Sequence, residues 1–191
     1  MDLIGMILEL ELQMFLTVPV LRRSSCQDDP SGFFLHRRVQ FSVWGEEALH
    51  SYLNDLQTAQ AQGFNLMTYK YARMDDLIPP RREHHLIDRI VALQTDWQRK
   101  VLVKYPALTS TGRPLEGTAD PAQSTSFVKY LRAELESYSD RTIRLLYKET
   151  LDKAEEGINL SEQVYEALAR LQGYASLADA ELKLRRLRTF S

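Results

Sequence analysis

Apolar positions along this chain of 191 residues recur at intervals of three and four, and no stretch keeps the strict alternation of a half-buried strand. Leu3, Ile7, Leu10 and Met14 fall on one face of a first helix, which Ile4, Leu8 and Phe15 widen and Pro19 ends. A polar loop, SSCQDDPSG, follows. Asp29-Pro30 then reads as an N-cap with proline at the first helical position, opening a second helix that carries Phe34, Val39, Phe41 and Trp44. A break at Gly45 leads into EEALHSYLNDLQTAQAQ. Its first turn is acidic, as the helix dipole favours, and Gly63 supplies the left-handed residue that closes it. Asn65 caps a fourth helix, LMTYKYARMDDL, expected to stop before Pro79-Pro80.

The second half follows the same plan. EHHLIDRIVALQTDWQRKVLVKY sets Leu86, Ile90, Leu93, Trp97 and Val101 on one face, and the loop PALTSTGRPLEGTADPAQ follows it. Then come STSFVKYLRAELESY, a break at Ser139, DRTIRLLYKETLDKAEE, Gly157, and a helix capped by Asn159. QAQGFNL at 60–66 and AEEGINL at 154–160 are near copies. At an offset of 94, Gly63 matches Gly157, Asn65 matches Asn159, Leu66 matches Leu160, Trp44 matches Tyr138 and Leu49 matches Ile143. The first helices match at 83, Leu3-Ile4 with Leu86-Ile87 and Ile7 with Ile90, and the longer loop of the second half absorbs the difference. A Gly-x-Asn-Leu connector alone is common between helices. Agreement of breaks, aromatics and helix order points to an internal duplication.

The expected fold is therefore all-α: two tandem four-helix repeats, approximately 3–78 and 83–173, related by a pseudo-two-fold axis within a single helical domain spanning 1–191. A C-terminal helix at 176–190, without a counterpart in the first half, closes it. Ser176 and Asp179 have the spacing of a capping box there.

Composition adds bounds. Hydrophobic residues make up 44% and charged residues 26%, ordinary for a globular protein, and the net charge of −2 gives no global field for nucleic acid or an anionic membrane. The lone cysteine, Cys26, can form no internal disulfide, which favours a reducing compartment. The greasy opening MDLIGMILELELQMFLTV has Asp2 where a signal peptide has a positive region, and Glu9 and Glu11 interrupt its apolar run. No window has the length of a membrane span. The expectation is a cytoplasmic protein.

Several stretches occur together and in order: SCQDDP, VQFSVW, SYLNDL, GFNLMTYKYARM, GRP, TSF-x-x-YLR-x-ELE-x-YS and GYASL. From Ile4 to about Leu177 the chain resembles an uncharacterised bacterial family of cytoplasmic proteins, classed only as a domain of unknown function. That resemblance implies no activity, cofactor or site residue. The basic tail after Ala180 lies outside it.

Candidate chemistry comes from the residues alone. Glu47 and His50 form an E-x-x-H on a helix, but the duplicated position holds Arg141 and Arg144, so the set of a di-iron site is incomplete and no metal is expected. His84 and His85 point about 100° apart on a helix and read as an exposed helix start. Cys26, in a loop before a helix N-terminus, with His36 following as a base, is the candidate nucleophile, although Asp28 and Asp29 oppose a thiolate. Tyr69, Lys70, Tyr71 and Arg73 form a polar-aromatic run, with Arg37, Arg38 and Trp44 on an earlier helix. Together they suit an anionic or aromatic ligand in a cleft between the halves. The candidate pocket is Cys26, His36, Arg37, Trp44, Tyr69 and Arg73. The tail ELKLRRLRTF is a basic amphipathic helix, read as packing on the core with its cations outward.

No Gly-rich phosphate loop, CxxC pair, HExxH or G-x-S-x-G occurs, so no cofactor is expected. The reading is a helical binding or interaction protein with a site between the repeats, for a small anionic ligand or a protein partner, with nucleic acid disfavoured. The alternative is a small enzyme that uses the loop cysteine with neighbouring His, Arg and Tyr side chains.

Overall fold

Short polar side chains start these helices by accepting backbone N–H groups that have no partner inside the helix. Asp2 accepts from Gly5, Asn65 from Thr68, Ser126 from Lys129, Ser139 from Thr142, Asn159 from Glu162 and Ser176 from Asp179. The structure, a computed structural model, describes residues 2–19, 30–81, 84–117 and 125–189. Among these residues no strand occurs, and ten helices follow in order. They are α1 (Leu3–Leu16), α2 (Pro30–Phe41), α3 (Glu46–Ala61), α4 (Leu66–Met74), α5 (His85–Lys104), α6 (Pro106–Thr109), α7 (Phe127–Leu135), α8 (Asp140–Glu155), α9 (Leu160–Leu171) and α10 (Leu177–Thr189).

Gly63 and Gly157 end α3 and α8 with φ of 67° and 71°, a conformation that a Cβ disfavours. The next residue bonds back in both cases, Phe64 N to Ala59 O and Ile158 N to Lys153 O, each at 2.8 Å. Three boundaries differ from expectation. α4 stops at Met74, because Asp76 turns into the left-handed region (φ 55°) and Leu77 N returns to Ala72 O. α7 ends at Leu135, and Glu136 to Tyr138 form a turn. The loop after α5 contains the short α6, which has proline in its first turn. The proposed cap at Asp29 lies outside the described residues; Pro30 is the first residue of α2.

α1 packs on α2, α3 and α4, and α5 packs on α7, α8 and α9. Three further pairings join the halves: α3 with α8, α4 with α7, and α2 with α9. One apolar core therefore draws on both, from Ile7, Leu8 and Phe15 through Tyr52 and Leu56 to Ile90, Leu135, Tyr138 and Ile143. A smaller cluster of Val101, Tyr105, Ala169, Leu177 and Ala180 lies under α10. Glu181 fastens α10 by accepting the N–H groups of Ala107 (3.1 Å) and Leu108 (2.8 Å) at the start of α6. Arg186 and Leu187 are exposed further along the helix, and Arg188, also exposed, donates to the Ser110 hydroxyl just beyond α6. Among the described residues no helix is long and apolar enough to cross a membrane.

Candidate functional site

Glu11 lies on the inward face of α1, among Ile7, Leu8, Met14 and Phe15, and has no solvent exposure. A carboxylate in that position needs partners. Arg37 of α2 supplies the main one: its Nε donates to Glu11 Oε2 at 2.7 Å and its Nη2 to Oε1 at 2.5 Å. Tyr52 of α3 donates to Glu11 Oε1 as well. Arg37 Nη1 reaches Glu134 of α7 at 2.7 Å, and Lys70 of α4 donates from Nζ to the other oxygen of Glu134 at 2.9 Å. Tyr138, Gln40 and Tyr130 complete the shell: Tyr138 and Gln40 donate to Glu134 Oε1, and Tyr130 accepts from Lys70 at 2.8 Å. Two carboxylates and two cations balance. Five helices, α1, α2, α3, α4 and α7, meet at this point.

The electrostatics follow from burial. Burial alone would raise the Glu134 carboxyl; Arg37, Lys70 and the Tyr138 hydroxyl together outweigh it and hold Glu134 well below the usual carboxylate range. Burial lowers the Lys70 ammonium, with Glu134 acting in the opposite sense. Burial and the nearby carboxylates push the Tyr52, Tyr130 and Tyr138 hydroxyls up, so all three stay protonated donors or acceptors at neutral pH. An aromatic wall covers the cluster: Tyr52 and Tyr138 have centroids 4.6 Å apart, Trp44 lies 5.8 Å from Tyr138, and Arg37 sits 4.6 Å above the Phe41 ring. Every charge meets another inside the cluster, so its chemistry is to fix how the helices pack.

A solvent-open groove of about 510 Å³ runs along the seam between α3 and α8, within the range of small-ligand sites. His50, Asn54 and Thr58 line it from α3 at spacings of four, and Phe64 and Leu66 give it an apolar part. Arg81 and Arg141 also line it. Ser137, on the same wall, ties the groove to the cluster by donating to Glu134 O at 2.6 Å. The Arg81 guanidinium stacks over Phe64 at 4.6 Å and Tyr69 at 5.8 Å, and its backbone N donates to Tyr69 Oη at 2.9 Å. Asp55 lines the groove too, but accepts from Ser139 N (2.9 Å) and Thr142 Oγ1 (2.7 Å) at the start of α8.

The candidate residues are scattered over this arrangement. Cys26 lies outside the described residues. Arg37 is in the charge cluster, and Trp44 packs on Phe41, Tyr52 and Tyr138 beside it. His36, next to Arg37 in sequence, is exposed. Tyr69 is buried beneath Arg81, at the edge of the groove. Arg73 pairs with Glu136 at 2.6 Å and donates to Ile78 O, tying α4 to the end of α7. His50 of the E-x-x-H lies 3.6 Å from Glu46 in an exposed pair, and His84 caps α5 by accepting from Leu86 N. Among the described residues no three His, Cys, Asp or Glu side chains are grouped as metal ligands.

Sequence reasoning missed Glu11 and Lys70 as cluster members and both groove arginines. A signal existed for two of them: Glu11 is four residues after Ile7 and three before Met14, and Lys70 is three after Met67 and four before Met74, so each charge sits on an apolar stripe. The groove had no signal, because its walls come from positions 50 to 141. The chain matches, over residues 1–182, the model of a protein family of unknown function, DUF4125. No curated protein and no solved structure matches it.

Proposed function

The chain belongs to the DUF4125 family, and we propose from its own geometry that it is a helical binding protein, built by internal duplication, that receives a ligand in the groove between its halves. The repeats are taken as approximately 3–78 and 83–173 in one domain. Three correspondences support the duplication. The packing of α1 on α2, α3 and α4 has its counterpart in α5 on α7, α8 and α9, and α4–α7 exchanges with α2–α9 under the same swap. Asn65 Nδ2 donates to Met14 O at 2.8 Å and Asn159 Nδ2 to Trp97 O at 3.0 Å, partners that match at offsets of 94 and 83. Asp55 with Ser139 is likewise answered by Glu149 with Gly45. A two-fold arrangement brings one element of each half to its axis, here α3 and α8, and ligand sites favour such junctions. The lone cysteine fits a reducing compartment, and the reading includes a cytoplasmic location.

The groove at the α3–α8 seam carries the functional part of the reading. Thermal unfolding against a panel of small metabolites tests it, because a ligand that binds only the folded chain raises the midpoint. Thr58 is exposed in the wall, so Thr58→Trp fills the groove without disturbing the core. Compounds that stabilise the wild type are expected to lose their effect on this variant. Stabilisation that survives in Thr58→Trp, or a panel with no stabilising compound, contradicts the reading.

A further inference from the structure

We infer that the groove takes its ligand through an oxyanion, carboxylate or phosphate, held between Arg81 and Arg141. This deepens the binding reading above and rests on it. Arg73, Lys129 and Arg132, on neighbouring helices, each meet a carboxylate: Glu136, Asp76 and Asp88. Arg81 and Arg141 meet none among the described residues, yet both line one cavity. Stacking on Phe64 and Tyr69 already restricts the Arg81 side chain and leaves its N–H edges open, so little conformational freedom remains to be lost on binding. A planar fork of that kind matches carboxylate and phosphate oxygens in pairs. Asp55 is the carboxylate of the lining, and it is engaged with Ser139 N and Thr142 Oγ1.

The opposite face of the proposed two-fold sharpens the contrast. At an offset of 94, Arg141 corresponds to Glu47, Asn54 to Lys148 and Thr58 to Asp152. There Lys148 and Asp152 pair at 2.8 Å, so that face neutralises itself. That face also holds two cations, Arg144 and Lys148, but Glu47 and Asp152 act on Lys148 there, whereas the α3 groove sets Arg81 and Arg141 beside neutral donors in Asn54 and Thr58 and an apolar surface in Phe64 and Leu66. A volume of about 510 Å³ leaves room for an organic body attached to the oxyanion.

The test is calorimetric titration of the whole chain with inorganic phosphate, phenyl phosphate, benzoate and the neutral benzyl alcohol. Phenyl phosphate or benzoate is expected to bind and benzyl alcohol not to, and the stronger of the two identifies the oxyanion. Arg81→Gln and Arg141→Gln are each expected to weaken binding about tenfold, while Arg144→Gln leaves it unchanged. Thr58→Glu keeps both arginines, sets a carboxylate against them, and is expected to produce the same loss. Absence of anion binding, or anion binding indifferent to all three groove variants, overturns the inference. A neutral compound whose effect is lost in Thr58→Trp but kept in Arg81→Gln and Arg141→Gln would sink the oxyanion and leave the binding reading standing.

Discussion

Asp55 on α3 accepts the backbone N–H of Ser139 at 2.9 Å, and Glu149 on α8 accepts that of Gly45 at 3.1 Å. Positions 55 and 149, and 45 and 139, both differ by 94, so each long helix places a carboxylate on the start of the other. Negative charge there is favourable, because the first N–H groups of a helix lack partners.

The two contacts differ in depth, which sets their weights. Asp55 also holds the hydroxyl of Thr142, which is fully buried, whereas Gly45 is exposed. Asp55→Ala removes the acceptor of both the Ser139 N–H and the Thr142 hydroxyl, which keeps Ser51 and the Ser139 hydroxyl as partners, and is expected to destabilise by about 1–3 kcal/mol. Glu149→Ala is expected to lose less than about 1 kcal/mol. Urea unfolding of the two variants checks the order, and a larger loss at Glu149 would count against it.

The cluster of Glu11, Arg37, Lys70 and Glu134 responds asymmetrically to substitution. Arg37→Met removes one partner of both carboxylates and is expected to destabilise by about 3–5 kcal/mol. Replacing all four by Leu or Met removes the charges together, and the loss is expected to fall well below the sum of the four single losses. Additive losses in chemical denaturation would show that these charges act independently.

Acid acts on the same cluster. The folded chain holds Glu134 below its ordinary value of 4.5, so its contribution is fully present above about pH 4.5 and is lost as pH falls further. The melting temperature is expected to drop below about pH 4.5, and to drop less steeply in Glu134→Gln. Equal slopes in the two proteins would remove Glu134 from the explanation.

Gly63 and Gly157 offer a check on equivalence. Each has positive φ, and no atom stands within 4 Å of where a Cβ would go, so an alanine there meets only backbone strain. Gly63→Ala and Gly157→Ala are expected to destabilise by about 1 kcal/mol each, equally and additively. Markedly unequal losses in thermal unfolding would contradict their equivalence.

Helical class and most breakpoints were legible because their causes are local. Asn65 and Asn159 cap helices, Gly63 and Gly157 close them, and Ser176 begins α10 within a few residues of sequence. Asp76 was not legible, because a non-glycine residue with φ of 55° leaves no compositional mark. Glu11 read as an interruption of an apolar run, although Arg37, which neutralises it, is 26 positions away and Glu134, which shares that arginine, is 97 from Arg37. Lys70 and Arg73 stand in the same run, yet one is buried against Glu134 and the other meets Glu136 near the surface. Pairing at such separations is decided by packing, so a charged run shows where ions are but not which of them meet.

The groove is tested most directly by a crystal structure of the protein soaked with phenyl phosphate. The phosphate is expected between Arg81 and Arg141, with none at Arg144 or Lys148 on the corresponding face of α8. Phosphate on the α8 face, or an empty α3 groove in a crystal where that groove is open to solvent, would contradict the assignment.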